Sequence, residues 1–235
     1  MKTIKFPYMG FEISWYFHDS EATEYPQYII DRTANKKVYV DLEQLLLLLS
    51  KHQLLFPTYV IDEPSRRIEI QGKTIQQSIC NLKELILQKE ISVEILRIGG
   101  YGFVLDDNKE MVLQNDLIVV DSFRFFERAF CISINTSIWL PIRFEYQNDY
   151  DWQVNLAKNN SVRLENCLKE IKEVLAINVT PAEDELDREN PIWQKGFKLY
   201  VNPEILLREY RNNPPSSAFD LQEFLIDEQS NKPKP

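Results

Sequence analysis

The sequence holds only two histidines, His18 and His52, among 235 residues. Neither belongs to an HxH or HExxH spacing, so a histidine-rich metal centre is excluded by count. Cysteine is scarce too. Cys80, Cys131 and Cys167 are odd in number and far apart, which is neither a disulfide framework nor a zinc pattern. Their apolar neighbours predict buried, inert thiols. Long apolar runs are missing: the longest is Leu45 to Leu49, far short of the ~20 residues that a membrane span needs. The opening stretch MKTIKFPYMGFEISWYF has neither a continuous apolar core nor a small-residue cleavage site, so no secretory signal is expected. Positive charge is in deficit: 27 Lys and Arg stand against 36 Asp and Glu, a net charge of −9. Such a field repels nucleic-acid phosphates unless bases are tightly clustered, and it suits a basic protein partner. These absences predict a cytoplasmic, soluble chain that contacts neither membrane nor nucleic acid and needs no metal or cofactor.

What is present is enough apolar material for a sizeable core, at 44% of residues with 12% aromatic. No internal repeat falls at a solenoid period. Aromatic and β-branched runs predict strands at residues 4–6, 11–17, 28–30 and 38–40. Asp41, with Gln44 in capping-box spacing, predicts a helix whose stripe is Leu42, Leu45, Leu46 and Leu49. A hairpin is expected over residues 58–71 about Glu63-Pro64-Ser65. Thr74 and Gln77 repeat the capping box before a second stripe, Ile75, Ile79, Leu82 and Ile86. Strands are expected again over residues 93–96, 101–105, 111–113 and 117–120, with a tight turn at Asp107-Asn108-Lys109. Phe123, Phe126 and Phe130 share helical spacing and predict a short helix there. Strand follows at residues 130–134 and 138–144. A third stripe, Leu164, Leu168, Ile171 and Leu175, predicts a long helix. Thr180-Pro181-Ala182-Glu183 and Asn202-Pro203-Glu204 both read as helix starts, with a strand at residues 197–201 before the second. A last amphipathic piece, Phe219 to Leu225, is expected to dock on the body.

The pattern is α+β: a mostly antiparallel sheet with packed helices and a helical C-terminal part. The polar stretch at 147–151 marks a boundary between a sheet-containing region, 1–148, and a mainly helical subdomain, 149–212. Residues 213–235 are a tail, partly disordered.

Three motifs bear on chemistry. In YVIDEPSRRIEIQGK, residues 59–73, Asp62 and Glu69 sit on adjacent predicted strands. This resembles the PD-(D/E)xK nuclease pattern, in which two carboxylates hold a divalent ion and a lysine steadies the attacking water. The resemblance implies a metal-dependent nuclease using Asp62 and Glu69. Gln71 stands in the lysine place, however, and Lys73 comes two residues late. The alternation of Arg67, Glu69, Gln71 and Lys73 with Ile68 and Ile70 is what a half-buried strand produces, with Asp62 facing Arg67 across the hairpin. Gly99-Gly100-Tyr101-Gly102 has the composition of a phosphate loop, but strand residues follow it where a helix N-terminus is required. It reads as a turn or bulge between strands. No Gly-x-Ser-x-Gly elbow occurs, and a Cys–His pair has no local signature. The aromatics about Trp15 and Phe126 lack a basic groove and read as core.

The acidic tract Glu183, Asp184, Glu185, Asp187 and Glu189, followed by Trp193, is the remaining candidate. Such a tract steers a basic partner to the surface, and a tryptophan beside charge is a common interface anchor. The sequence reading is therefore a non-catalytic, acidic protein-binding protein. In general character it is similar to bacterial immunity proteins, which neutralise a toxin. The alternatives are the Asp62/Glu69 nuclease and a structural or assembly subunit.

Overall fold

A computed structural model of the chain describes residues 8–18, 34–62, 66–88, 96–124, 129–144, 150–181, 192–215 and 219–225. The predicted strands at 4–6 and 28–30 lie outside the described residues. The architecture is α+β, and every described strand pairing is antiparallel.

The chain enters through β1 (Tyr8–His18). Its alternation places Trp15 and Phe17 in the core, while Tyr16 faces outward. The first helix, α1 (Ala34–Lys51), begins before the expected start at Asp41. Residues 38–40, expected as strand, lie inside it. Their β-branched and aromatic character is a weak preference that the helix overrides. The leucine stripe is as predicted: Leu42, Leu45, Leu46 and Leu49 are all buried, and Leu47 packs against the core from its edge.

Next come β2 (Phe56–Asp62) and β3 (Arg66–Glu69), the expected hairpin. Then α2 (Ile75–Leu87) opens on the predicted cap. Thr74 accepts from the Gln77 N–H at 3.3 Å, and the Gln77 side chain accepts in turn from the Lys73 N–H at 2.8 Å. The buried face is Ile79, Leu82 and Ile86. Cys80 is exposed on the opposite side, which corrects the expectation of three buried thiols.

The strand β4 (Leu96–Leu105) runs through Gly99, Gly100 and Gly102, where a turn or bulge was expected; no turn forms, and a register shift falls on β2 between Pro57 and Tyr59, opposite Gly100 and Gly99. These glycines serve close approach instead. A Cβ on Gly100 would stand 2.0 Å from the Phe56 carbonyl oxygen, and one on Gly102 would stand 2.3 Å from that of Leu54. A tight turn leads to β5 (Met111–Asn115). Asp106 Oδ1 accepts from the Asn108 and Glu110 N–H groups at 2.9 and 2.8 Å, and Lys109 takes the left-handed conformation, at φ 62°.

β6 (Val119–Arg124) and β7 (Ala129–Thr136) then pair with each other. Residues 122–124 and 129–130 are therefore strand, not the short helix that the phenylalanine spacing suggested. Ladder pairing to β4 and β7 decides the matter over local periodicity. Phe130 stacks on Phe17 with ring centroids 4.9 Å apart. A 3-10 turn, Ser137–Trp139, interrupts the expected strand before β8 (Ile142–Phe144), which pairs with β9 (Tyr150–Trp152).

The long helix is α3 (Val154–Leu175). It buries Leu164, Leu168, Ile171 and Leu175 as predicted and ends at Ala176 in the left-handed conformation. β10 (Asn178–Pro181) then pairs with β1, placing Pro181 opposite Trp15. Thr180 and Pro181 are thus strand residues and not a helix start. β10 is the terminal strand of the sheet, the one place where a proline's missing donor breaks no ladder. β11 (Ile192–Lys195) and β12 (Lys198–Val201) form a hairpin. α4 (Pro203–Asn212) starts at its predicted cap, with Asn202 accepting from the Glu204 N–H at 3.0 Å.

The main sheet runs β10-β1-β7-β6-β4-β2-β3, with β5 also on β4. α1 packs on β2 and against α2 and α3, and α3 also packs on β4 and β12. A C-terminal strap, residues 219–225, docks as expected: the Phe219 ring lies 5.4 Å from Trp152 and 5.9 Å from Tyr210. Among the described residues no helix is long and apolar enough to cross a membrane. The close approach at β4 makes one substitution decisive. Gly100→Ala is expected to destabilise the fold by about 1–3 kcal/mol through overpacking, read as a lowered urea midpoint with unchanged slope; an unchanged midpoint would contradict it.

Candidate functional site

Strand register settles the position of the two hairpin carboxylates. β2 and β3 pair Asp62 with Arg66 and Tyr59 with Glu69. Asp62 therefore faces Arg66, one residue from the predicted Arg67. Cross-strand partners share a face, and positions 59 and 62 alternate, so Asp62 and Glu69 project from opposite faces. Asp62 is buried and ion-paired with Arg66 at 2.8 Å. Glu69 is exposed and pairs with Arg67 at 2.9 Å, while the Arg67 guanidinium lies 3.7 Å over the Tyr59 ring. Among the described residues no group of three or more His, Cys, Asp or Glu is placed to hold a metal ion.

Tyr59 donates from its phenol to Asp116 Oδ1 at 2.5 Å. Burial first, then the Asp116 carboxylate, pushes its ionisation well above the ordinary phenol range. His52 Nε2 meets Glu170 Oε2 at 2.6 Å, and Lys51 binds the same carboxylate. These two partners, Lys51 first, hold Glu170 below the usual carboxyl range. Cys167 is fully buried, and burial pushes its thiol up, away from the thiolate that a nucleophile needs.

Of the predicted tract, Glu183, Asp184, Glu185, Asp187 and Glu189 lie outside the described residues. Its two ends are placed. Pro181 closes β10 on the edge of the main sheet, and Ile192 opens β11. Trp193 is covered by the fold, at 8% exposure, and pairs across the hairpin with Tyr200. The hairpin is fixed to β1 at two points. Trp15 Nε1 donates to the Gly196 carbonyl at 2.9 Å, and Gln194 Nε2 donates to the Ser14 carbonyl at 3.2 Å.

The far side of that hairpin borders a cleft of about 350 Å³ that no sequence motif announced. Its walls come from α3 (Lys158, Ser161, Glu165), β12 (Lys198, Tyr200) and the strap (Glu223, Phe224), with Trp139 below. Lys158 pairs with Glu223 at 2.5 Å. Glu165 takes Lys169 at 2.6 Å and leaves Lys198 at 3.9 Å, the loosest of these pairs. Burial, then Glu165, raises the ionisation of Tyr200, which keeps its phenol a donor. The Trp139 indole N–H is buried and has no partner among the described residues, a state that costs about 1–3 kcal/mol. Sequence reasoning missed this cleft because its residues are scattered from 139 to 224. Trp139 looks like core between Ile138 and Leu140.

No family model matches the chain, and neither a curated protein nor a solved structure matches it.

The raised Tyr59 ionisation has a signed consequence. An unfolded phenol loses its proton near pH 10, while the folded one holds it. The folded state then binds the extra proton, so stability falls as pH rises past that point. Urea midpoints measured between about pH 9 and 11 are expected to fall less steeply in Tyr59→Phe than in the wild type; equal slopes would contradict the assignment.

Proposed function

We propose that the chain is a non-catalytic, acidic protein-binding protein, an immunity-type inhibitor that neutralises a basic partner such as a bacterial toxin. The observation that carries this reading is where the acidic tract is attached. Between Pro181 and Ile192 the sequence is AEDELDRENP, with five acids against one base. One end is tied to the sheet edge through β10 and the other to the β11–β12 hairpin. Ten residues reach at most ~33–36 Å, and both ends of the tract are tied to the body. A concentrated negative patch on a chain of net charge −9 accelerates encounter with a positive partner and orients it on arrival.

In this reading Glu183, Asp184, Glu185, Asp187 and Glu189 steer the partner. Trp193 holds the hairpin at the end of the tract, where its ring is already covered. The partner's contact area includes the tract and the sheet edge beside it. In this reading an acidic surface is repelled by the same charges.

The test begins with capture from the source cell at low and high salt, followed by binding kinetics with the purified partner. Replacing the five acids with Gln and Asn is expected to slow association about tenfold or more, with dissociation little changed and the salt dependence flattened. Association that is indifferent to both salt and the five substitutions would overturn the reading. Self-association through apolar contacts in place of a basic partner would support an assembly subunit instead.

A further inference from the structure

We propose that the C-terminal strap is a releasable plug: it leaves the groove between β9, α3 and α4 as one unit, while the body of the fold stays intact, and so gates that groove. Hydrogen bonding gives the first reason. Among the described residues, every backbone hydrogen bond of residues 219–225 closes within the strap. Asp220 Oδ1 accepts from the Gln222 N–H at 2.9 Å. The Asp220 carbonyl accepts from the Glu223 N–H, and the Gln222 carbonyl from the Leu225 N–H, both at 3.3 Å. The strap is thus a 3-10 turn with its own cap, complete without a backbone partner on the body. β10, at the sheet edge, is held instead by ladder pairing to β1.

Side chains do the holding. Phe219 meets Trp152 and Tyr210, and Phe224 lies 5.8 Å from Phe219 and 5.9 Å from the Lys158 ammonium. The Lys158–Glu223 pair is exposed and open to screening by salt. The connection from α4 adds little. It passes through Pro214 and Pro215, which carry no backbone N–H. Trp152 stands at the hinge: its indole N–H donates to the Asn213 carbonyl, and its ring receives Phe219. A segment tied down by partly exposed side chains opens more readily than the whole fold. The short tether keeps the released strap at an effective concentration in the millimolar range, so it returns and the closed state dominates. Opening uncovers the Trp152 and Tyr210 rings, takes Glu223 from Lys158 and removes two walls, Glu223 and Phe224, from the neighbouring cleft. This plug is separate from the acidic tract and does not rest on the partner-binding reading.

The full chain carrying Phe219→Ser and Phe224→Ser tests the proposal. In its ¹⁵N spectrum the Trp152 indole signal is expected to move, while the Trp15 indole, in the core, keeps its wild-type position. A fluorescein-labelled synthetic peptide of residues 216–227, followed by anisotropy, should bind this variant saturably and return the Trp152 signal toward its wild-type position. The wild-type chain, its groove filled by its own strap, should bind the peptide at least about tenfold more weakly. A peptide with both phenylalanines replaced by alanine should lose about tenfold in affinity for the variant. Loss of the Trp15 and Trp152 signals together would overturn the proposal, because the strap would then be part of the cooperative body. So would failure of the peptide to bind the variant, or equal binding to variant and wild type.

Discussion

One buried amide holds this molecule together across its layers. Asn160 is fully buried in the second turn of α3. Its Oδ1 accepts from the Leu105 N–H at 2.9 Å, and its Nδ2 donates to the Leu105 carbonyl at 2.8 Å. The side chain thus acts as a ladder partner for the last residue of β4. Arg163, one turn along, donates to the Phe103 carbonyl at 3.0 Å and to the His52 carbonyl at 2.9 Å. Three elements meet at these two residues: the end of α1, the end of β4 and the first half of α3. Apolar packing could let α3 slide along the sheet, but directional hydrogen bonds to named carbonyls fix its register.

Both candidate regions adjoin elements that this register places. Going forward along α3, Ser161 and Glu165 form one wall of the cleft, and Lys158 ties the strap to it through Glu223. At the helix end, Ala176 leads the chain into β10, which pairs with β1 and ends at Pro181, the residue before the acidic tract. The charges follow the same division. Lys51, Arg66, Arg67, Lys83, Lys158 and Lys169 each have a carboxylate partner in the described structure. The excess acid therefore falls on stretches without such partners in sequence, above all residues 183–189. The proposed steering role rests on that separation of paired and unpaired charge.

Much of this was legible in the residues and some was not. The α2 cap, the α4 cap, the leucine face of α1 and the turn after β4 depend on neighbours within four positions, and local chemistry specifies them. Thr180-Pro181 carried an equally good helix signal, yet it pairs with β1, because an edge position accepts a proline that an interior strand would refuse. Gly99 to Gly102 read as a turn or bulge because glycine has several uses, and only the Phe56 and Leu54 carbonyls pressing on β4 show that close approach applies. The hairpin carboxylates looked paired because sequence spacing does not reveal register. A single-residue offset in the assumed register put Asp62 opposite Arg67 in place of Arg66. The cleft had no signal at all, since Trp139, Lys198 and Phe224 meet only through the packing of α3.

The account depends on Asn160 fixing α3, and amide hydrogen exchange combined with urea unfolding of Asn160→Leu tests it. Leucine keeps the volume but strands the Leu105 N–H and carbonyl, at about 1–3 kcal/mol for each buried group left unpaired. The account predicts a lowered urea midpoint together with loss of protection at Leu105. A variant that keeps both the wild-type midpoint and a protected Leu105 amide would show that apolar packing alone sets the helix, and the account would fail.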